Sequence, residues 1–407
     1  MHAVIFCMHS YNYIDKMKKK SLLFIALMFV AACNQVSEEH HVGGQVADSS
    51  HIIDPSYILD NKIVSYKEDM VSEMKLVHLE TSDESIVSYI MSITVTPDAF
   101  FVLHAAKRTT LSIFDKYGKF IRTIPCGQGP EDLLAVTSLY YDNESETVFA
   151  VDQGNRKISQ FNKTGDFVKN YYYPDDLIVY HLAYSDGKFV FIQNGASQMD
   201  RNFRVITTDT LFSEYDTWTL GAEPFNVGLP KYITKAGDGF DIIRYFDNHI
   251  YYYKDGVIEK KYKFVDRRDK YKLEGCKEAV DFYNQMFNTG DYISPGPHLE
   301  TKDFLYTSFD YTLLTKRFVL INKNTGCQKL EEVKDHSFMC YAMISGVADF
   351  DSNEFYAIVQ PEYLKGEQYP WDGSNPNDLI SQDDMEMLSK VTPDDNPIIA
   401  LIKFKQD

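Results

Sequence analysis

The chain has 407 residues, 44% of them apolar, with 29 Tyr and 27 Phe against only two Trp, and a formal charge of −18 at neutral pH. That length suits one large repeat domain or two ordinary ones, and the aromatic content favours strands over a long helical architecture. So acidic a body is repelled by nucleic acid and by anionic lipid, which excludes both as partners bound through charge.

In chain order, the first signal is a targeting one. Lys18-Lys19-Lys20 precede an apolar run of ten residues, Ser21 to Val30, half of the about 20 needed to span a bilayer. The run ends in Val30-Ala31-Ala32-Cys33. Small residues before a Cys resemble the lipobox of bacterial lipoproteins, which predicts removal of residues 1–32 and lipidation of Cys33. Met17 directly precedes the lysines, so residues 1–16 read as a mis-assigned start extension. The expectation is an exported outer-membrane lipoprotein, facing the periplasm or the surface and touching the membrane only through its lipid anchor. Residues 33–50 are polar, Gly-containing and aperiodic, and read as a tether; residues 51–407 read as the folded domain.

Two stretches 47 residues apart are copies of one pattern. Phe114-Asp115-Lys116-Tyr117-Gly118-Lys119-Phe120 falls on Phe161-Asn162-Lys163-Thr164-Gly165-Asp166-Phe167. Each copy gives an apolar strand, a polar turn, a second strand ending in an aromatic, a Lys/Gly turn and a third strand. A unit of about 40–50 residues with four strands marks a β-propeller. Six apolar centres recur: Phe101–Leu103, Val148–Val151, Phe189–Ile192, Ile250–Tyr253, Phe304–Tyr306 and Phe355–Val359. Their lead-in turns include Pro97-Asp98, Asn143-Glu144, Ser185-Asp186-Gly187, Asp247-Asn248 and Asp351-Ser352-Asn353, residues that supply strand reversals. The expected fold is therefore all-β: a six-bladed β-propeller of four-stranded blades. Leu273 to Asp291 and Asp378 to Lys390 carry apolar residues at helical spacing and read as two short helical inserts. Met74–Leu79 and Pro397–Phe404 are orphan strands at the two ends, expected to join in one blade and close the ring.

Four segments carry a family resemblance: Leu79-Glu80-Thr81-Ser82-Asp83-Glu84-Ser85, the Phe114–Ile124 stretch, Gly127-Gln128-Gly129-Pro130-Glu131, and Asn396-Pro397-Ile398-Ile399. Together they resemble the six-bladed β-propeller lipoproteins of anaerobic Gram-negative bacteria, over most of the mature chain. Val151–Ile158 also looks like an NHL repeat. The sequence departs from the pattern at Asp132, where such loops carry Gly before or beside the acid, and near Gly221–Ala236, in the fourth blade. The resemblance implies an exported, lipid-anchored propeller serving nutrient uptake or surface binding, and it supplies no catalytic residues.

Several residues could make a site. Gly127, Gln128, Gly129 and Glu131 lie in a tight loop that reads either as a blade-to-blade turn or as an anion-binding nest; no Lys-Ser/Thr follows, so it is no nucleotide loop. Arg201, Arg204, Arg244 and Arg317 stand out in an acidic chain as carboxylate or sulfate ligands, with surface pairing as the alternative. Tyr171–Tyr173 and Tyr251–Tyr253 offer either stacking faces or strand packing. Asp152, Asn155 and Arg156 read as turn-capping residues. His104, His181, His249, His298 and His336 follow no metal-ligand spacing, and no nucleophile motif occurs. Neither a catalytic residue nor a cofactor is expected. The function these features favour is binding of an envelope protein, glycan or peptide. The alternative is a metal-assisted lyase or lactonase at the channel, its divalent metal held from several blades. Cys126, Cys276, Cys327 and Cys340 read as buried free thiols, with a Cys327–Cys340 disulfide as the other possibility.

Overall fold

The structure is a computed structural model, and it describes residues 46–105, 109–175, 177, 179–194, 202–222, 233–244, 247–265, 280–281, 284, 294–312, 315–365 and 371–406. The N-terminal segment supplies β1 (Ala47–Ile53), α1 (Pro55–Asp60), β2 (Val64–Tyr66), α2 (Lys67–Met70) and β3 (Val71–His78). Blade 1 is β4 (Tyr89–Val95), β5 (Ala99–Ala105), β6 (Thr109–Asp115) and β7 (Phe120–Ile124). Blade 2 is β8 (Val136–Asp142), β9 (Thr147–Asp152), β10 (Lys157–Asn162) and β11 (Phe167–Tyr172). Blade 3 is β12 (Leu182–Ser185), β13 (Lys188–Asn194), β14 (Asn202–Asp209) and β15 (Tyr215–Ala222). Blade 4 is β16 (Ile233–Ala236), β17 (Gly239–Ile243), β18 (His249–Lys254) and β19 (Val257–Phe264). Blade 5 is β20 (Ser294–Glu300), β21 (Phe304–Thr312), β22 (Thr315–Asn322) and β23 (Gln328–Glu332). Blade 6 is β24 (Met343–Asp349), β25 (Glu354–Val359) and β26 (Ile398–Phe404), with α3 (Pro361–Leu364) and α4 (Gln382–Lys390) between its last two strands.

The four core strands of each sheet run antiparallel, in chain order in blades 1 to 5, so this is the expected six-bladed propeller. Second strands are apolar without alternation because both faces of a blade pack on neighbouring blades; Ala99–His104 in β5 and all of β9 are buried. Outer strands such as β11 alternate towards solvent. The 47-residue echo is one piece of geometry built twice. Asp115 Oδ1 accepts from the amides of Tyr117 and Lys119, and Asn162 Oδ1 from those of Thr164 and Asp166. Gly118 and Gly165 follow at φ +83° and +92°. A Cβ on Gly118 would lie 1.7 Å from the His78 carbonyl oxygen, so only glycine fits there.

The ring closes as expected. β26 pairs antiparallel with β3, from Ile398 opposite His78 to Phe404 opposite Val71. Asn396 locks this seam: its Oδ1 accepts from the Val87 amide at 2.7 Å, and its Nδ2 donates to the Glu80 and Ser85 carbonyls at 2.7 and 2.8 Å. The Asn396 amide donates to Thr81 Oγ1, while Glu80 Oε2 accepts from the Phe120 amide.

Four features differ from the sequence expectations. The fourth apolar centre, Ile250–Tyr253, lies in the third strand of blade 4; the second is β17, whose Asp241 interrupts the apolar run, and the turn leading into it is Gly237-Asp238. β1 starts at Ala47, within the stretch read as tether, and adds in parallel to the outer edge of blade 4. β2 does the same on blade 5, and added strands shield edges that would otherwise invite pairing. Cys126 and Cys327 are exposed, Cys340 is half-buried, and none of the three is in a disulfide. Cys327 and Cys340 lie beyond opposite ends of β23, which is why they do not pair.

The insert expected at Asp378–Lys390 is α4, capped by Ser381 accepting from the Asp384 amide. Most of the other, Leu273 to Asp291, lies outside the described residues, as do Cys33, Arg201 and Cys276; Val280, Asp281 and Asn284 are helical. No helix among the described residues is long and apolar enough to cross a membrane.

Candidate ligand site on the propeller axis

The meander gives the disc two different ends. One carries the first-to-second and third-to-fourth strand turns; the other carries the second-to-third and blade-to-blade connections. At the first end the innermost strands enclose a cavity of about 430 Å³. Each blade contributes an apolar side chain to it: Val95, Leu139, Leu182, Ile233, Leu299 and Val347. Tyr140, Tyr141 and Tyr356 add aromatic surface, and burial drives the Tyr140 hydroxyl well above the usual tyrosine range. The volume falls within the range of small-molecule sites, about 300–1,000 Å³.

Two lysines line this cavity from diametrically opposite blades. Lys116 belongs to the β6–β7 turn of blade 1, with its ammonium 5.2 Å from the Phe100 ring centroid and 6.0 Å from that of Tyr356. Lys235 projects from β16, the innermost strand of blade 4. Both are half-buried, and burial lowers both pKa values against the longer-range pull of surrounding acids. Neither forms an ion pair or hydrogen bond among the described residues.

Lys116 is unlike its counterparts at the same repeat position. Lys163 of blade 2 lies 2.8 Å from Glu146 and 3.4 Å from Asp98, and Lys323 of blade 5 lies 2.6 Å from Glu300. Lys323 also has a ring beside it, Phe350 at 5.3 Å; what Lys116 lacks among the described residues is the carboxylate partner of the other two. Three acids also line the cavity, Glu146, Asp349 and the exposed Asp351. Glu146 belongs to Lys163, and Asp349 Oδ1 accepts from the Asp351 and Ser352 amides at 3.1 and 3.2 Å.

A second cavity of about 430 Å³ lies between the outer parts of blades 5 and 6. Its charges cancel: Lys67 lies 3.3 Å from Glu331 Oε1 and donates to the Ala342 carbonyl, while Tyr306 donates to Glu331 Oε2. Arg317 lines this cavity, far from the axis. It and the axial lysines therefore do not form one site.

The other sequence candidates are mostly built into the frame. The Gly127–Asp132 crossover already contains its anion: Gly129 N donates to Asp132 Oδ2 at 2.9 Å, and a Cβ on Gly127 would meet that oxygen at 2.3 Å. Asn155 donates to the Gly127 carbonyl, and Lys157 and Asn170 donate to that of Pro130. Asp152 accepts from the Leu134 and Ala135 amides. Gln128 and Glu131 remain exposed on this loop. Arg244 is buried, donating to the Leu220 carbonyl and to Asp247 and stacking on Phe203, so it ties blade 4 to blade 3. Arg204 is half-buried on β14. Tyr171 donates to Gln160, Tyr251 to Asp247 and Tyr252 to Asp238, and Tyr253 stacks on Phe240. Strand packing accounts for these tyrosines.

A buried charge cluster joins blades 4 and 5. His298 Nε2 donates to Asp241 Oδ2 at 2.9 Å, and Lys261 reaches Asp241 Oδ1 at 3.1 Å and Glu300 Oε2 at 2.5 Å. Asp241 and His298 are wholly buried. Burial pushes the Asp241 carboxyl up, but Lys261 and His298 outweigh it and hold the pKa at about 2. Among the described residues no group of three or more His, Cys, Asp or Glu is placed to hold a metal ion.

Fold and cavity define the class: a six-bladed β-propeller with a ligand-sized chamber on its axis. The chain belongs to the family described as a domain of unknown function, DUF4934, whose model matches residues 51–403. A similar solved structure is that of a protein from Bacteroides fragilis NCTC 9343 assigned as exported. It has a TM-score of 0.65 and 18% identity, covering 87% of this chain and all of that one. A member of the DUF4221 family from Bacteroides vulgatus superposes with a TM-score of 0.48 at 11% identity, over 82% of this chain and 97% of that one. No curated protein matches the sequence.

Proposed function

We propose that this protein is an exported, lipid-anchored binding protein that takes its ligand in the axial cavity. The observation that carries the reading is the chamber itself: about 430 Å³, ringed by an apolar side chain from every blade and aromatic on one side. The signal run up to Val30, Cys33 after two alanines, and the likeness in fold to a Bacteroides protein assigned as exported support export and anchoring. A chamber of this size takes a small nutrient, or the end group of an oligomeric glycan or peptide whose remainder lies outside it. An envelope protein presenting such a group would be captured in the same way.

Ser138 lines the cavity from β8 and is half-buried. Ser138→Trp should fill the chamber, so compounds that raise the wild-type melting temperature in a glycan and peptide screen should leave the variant unmoved. Compounds that stabilise both proteins equally would place the site elsewhere. Anchoring has its own readout: Cys33→Ala should move the protein from the membrane fraction to the soluble one, and unchanged membrane retention would contradict lipidation at Cys33.

A further inference from the structure

Two ammoniums in the axial cavity, those of Lys116 and Lys235, have no ion-pair partner among the described residues, although Glu146, Asp349 and Asp351 also line it. A desolvated ammonium is normally paired, because its hydration has to be replaced. At Lys163 and Lys323 this fold does pair it. Among the described residues no carboxylate pairs with Lys116 or Lys235, which feel Glu354, Asp349 and Asp98, and Asp142 and Asp238, only at longer range; Glu146 pairs with Lys163 and Asp349 accepts from backbone amides. The two cations approach from blades 1 and 4, across the full width of the ring, with apolar and aromatic surface between them. Among the described residues no arginine and no helix N-terminus lines this cavity, and those are the groups that commonly bind phosphate.

Building on the axial-site reading, we propose that the cavity binds a small organic dianion, two carboxylates separated by an apolar or planar body, with Lys116 and Lys235 as the two counter-charges. The ligand supplies the acids that the repeat provides in blades 2 and 5. A free diacid, the end of an acidic peptide and a uronic-acid disaccharide all present this two-point charge.

The test is titration calorimetry of the mature protein with adipate, terephthalate, alanyl-glutamate and digalacturonate, alongside adipamide, benzoate and inorganic phosphate. At least one diacid should bind at least tenfold tighter than adipamide, benzoate and phosphate, and the tightest of the four identifies the source. Lys116→Met and Lys235→Met should each weaken that diacid at least tenfold. Without ligand, Lys235→Met should also melt about 2 °C or more above wild type, since it removes an unpaired charge. Adipamide or phosphate binding as tightly as every diacid, or lysine variants that bind diacids normally, would overturn the proposal. If neutral compounds bind and Ser138→Trp excludes them while no diacid binds, the axial site stands and the dianion assignment falls.

Discussion

Asp241→Ala should destabilise the protein by about 4 kcal/mol, the cost of removing one partner from a buried charge network. Asp241 is fully buried and bonded to both His298 and Lys261, so alanine leaves the Lys261 ammonium with Glu300 alone and His298 Nε2 without its acceptor. Denaturant unfolding measures the loss; a change below about 1 kcal/mol would mean that blades 4 and 5 are held together by something else. Acid gives a second readout. The folded pKa of Asp241, about 2, lies below its ordinary value of 3.8. The stability this provides is complete above pH 3.8 and is lost as pH falls through the folded value, a contribution of roughly 2 kcal/mol. Asp241→Asn should lack that acid-dependent component, seen as the difference between the two unfolding-versus-pH curves.

Asn396→Ala should cost about 3 kcal/mol, because it leaves the Val87 amide and the Ser85 carbonyl without their partner and the Glu80 carbonyl with Ser85 Oγ alone in a buried seam. Asn396→Asp preserves the shape and turns the two donors into acceptors facing carbonyl oxygens, so it should be at least as damaging. The loss should appear as faster hydrogen exchange in β3 and β26 before the other blades, since these strands close the ring from opposite ends of the chain. Uniform exchange in all blades would contradict Asn396 as the lock of the seam.

The seam also shows what was legible in sequence. Leu79–Ser85, the Phe114–Ile124 turn and Asn396–Ile399 carried the family resemblance as separate words, and the fold brings them into one hydrogen-bonded junction. Repeats were readable because blades 1, 2 and 5 solve the same turn with an Asx oxygen and a positive-φ glycine. Blade 4 is hard to place from sequence because its second strand carries a charge, Asp241, inside an otherwise apolar run, and only the fold sets His298 and Lys261 beside it. β1 and β2 had no period of their own, since a strand added at an edge borrows its pairing from β19 and β23.

Site residues were less legible. Conspicuous glycines and arginines drew the reading towards the crossover loop and the rim, where Asp132 fills the nest and Arg244 is consumed by carbonyls and Asp247. Lys116 stands inside the repeat motif, and what sets it apart from Lys163 and Lys323 is an ion pair that they make and it does not among the described residues. Lys235 had no sequence signal, because only ring closure places β16 across the axis from blade 1.

The most direct test is to locate a heavy-atom diacid crystallographically. Crystals of the mature protein soaked in dibromoterephthalate should show anomalous bromine peaks inside the ring of Val95, Leu139, Leu182, Ile233, Leu299 and Val347, with the carboxylates at Lys116 and Lys235, and no such peaks in Ser138→Trp crystals. Bromine found only on the outer surface, or in the blade 5–6 cavity beside Arg317, would contradict the axial site.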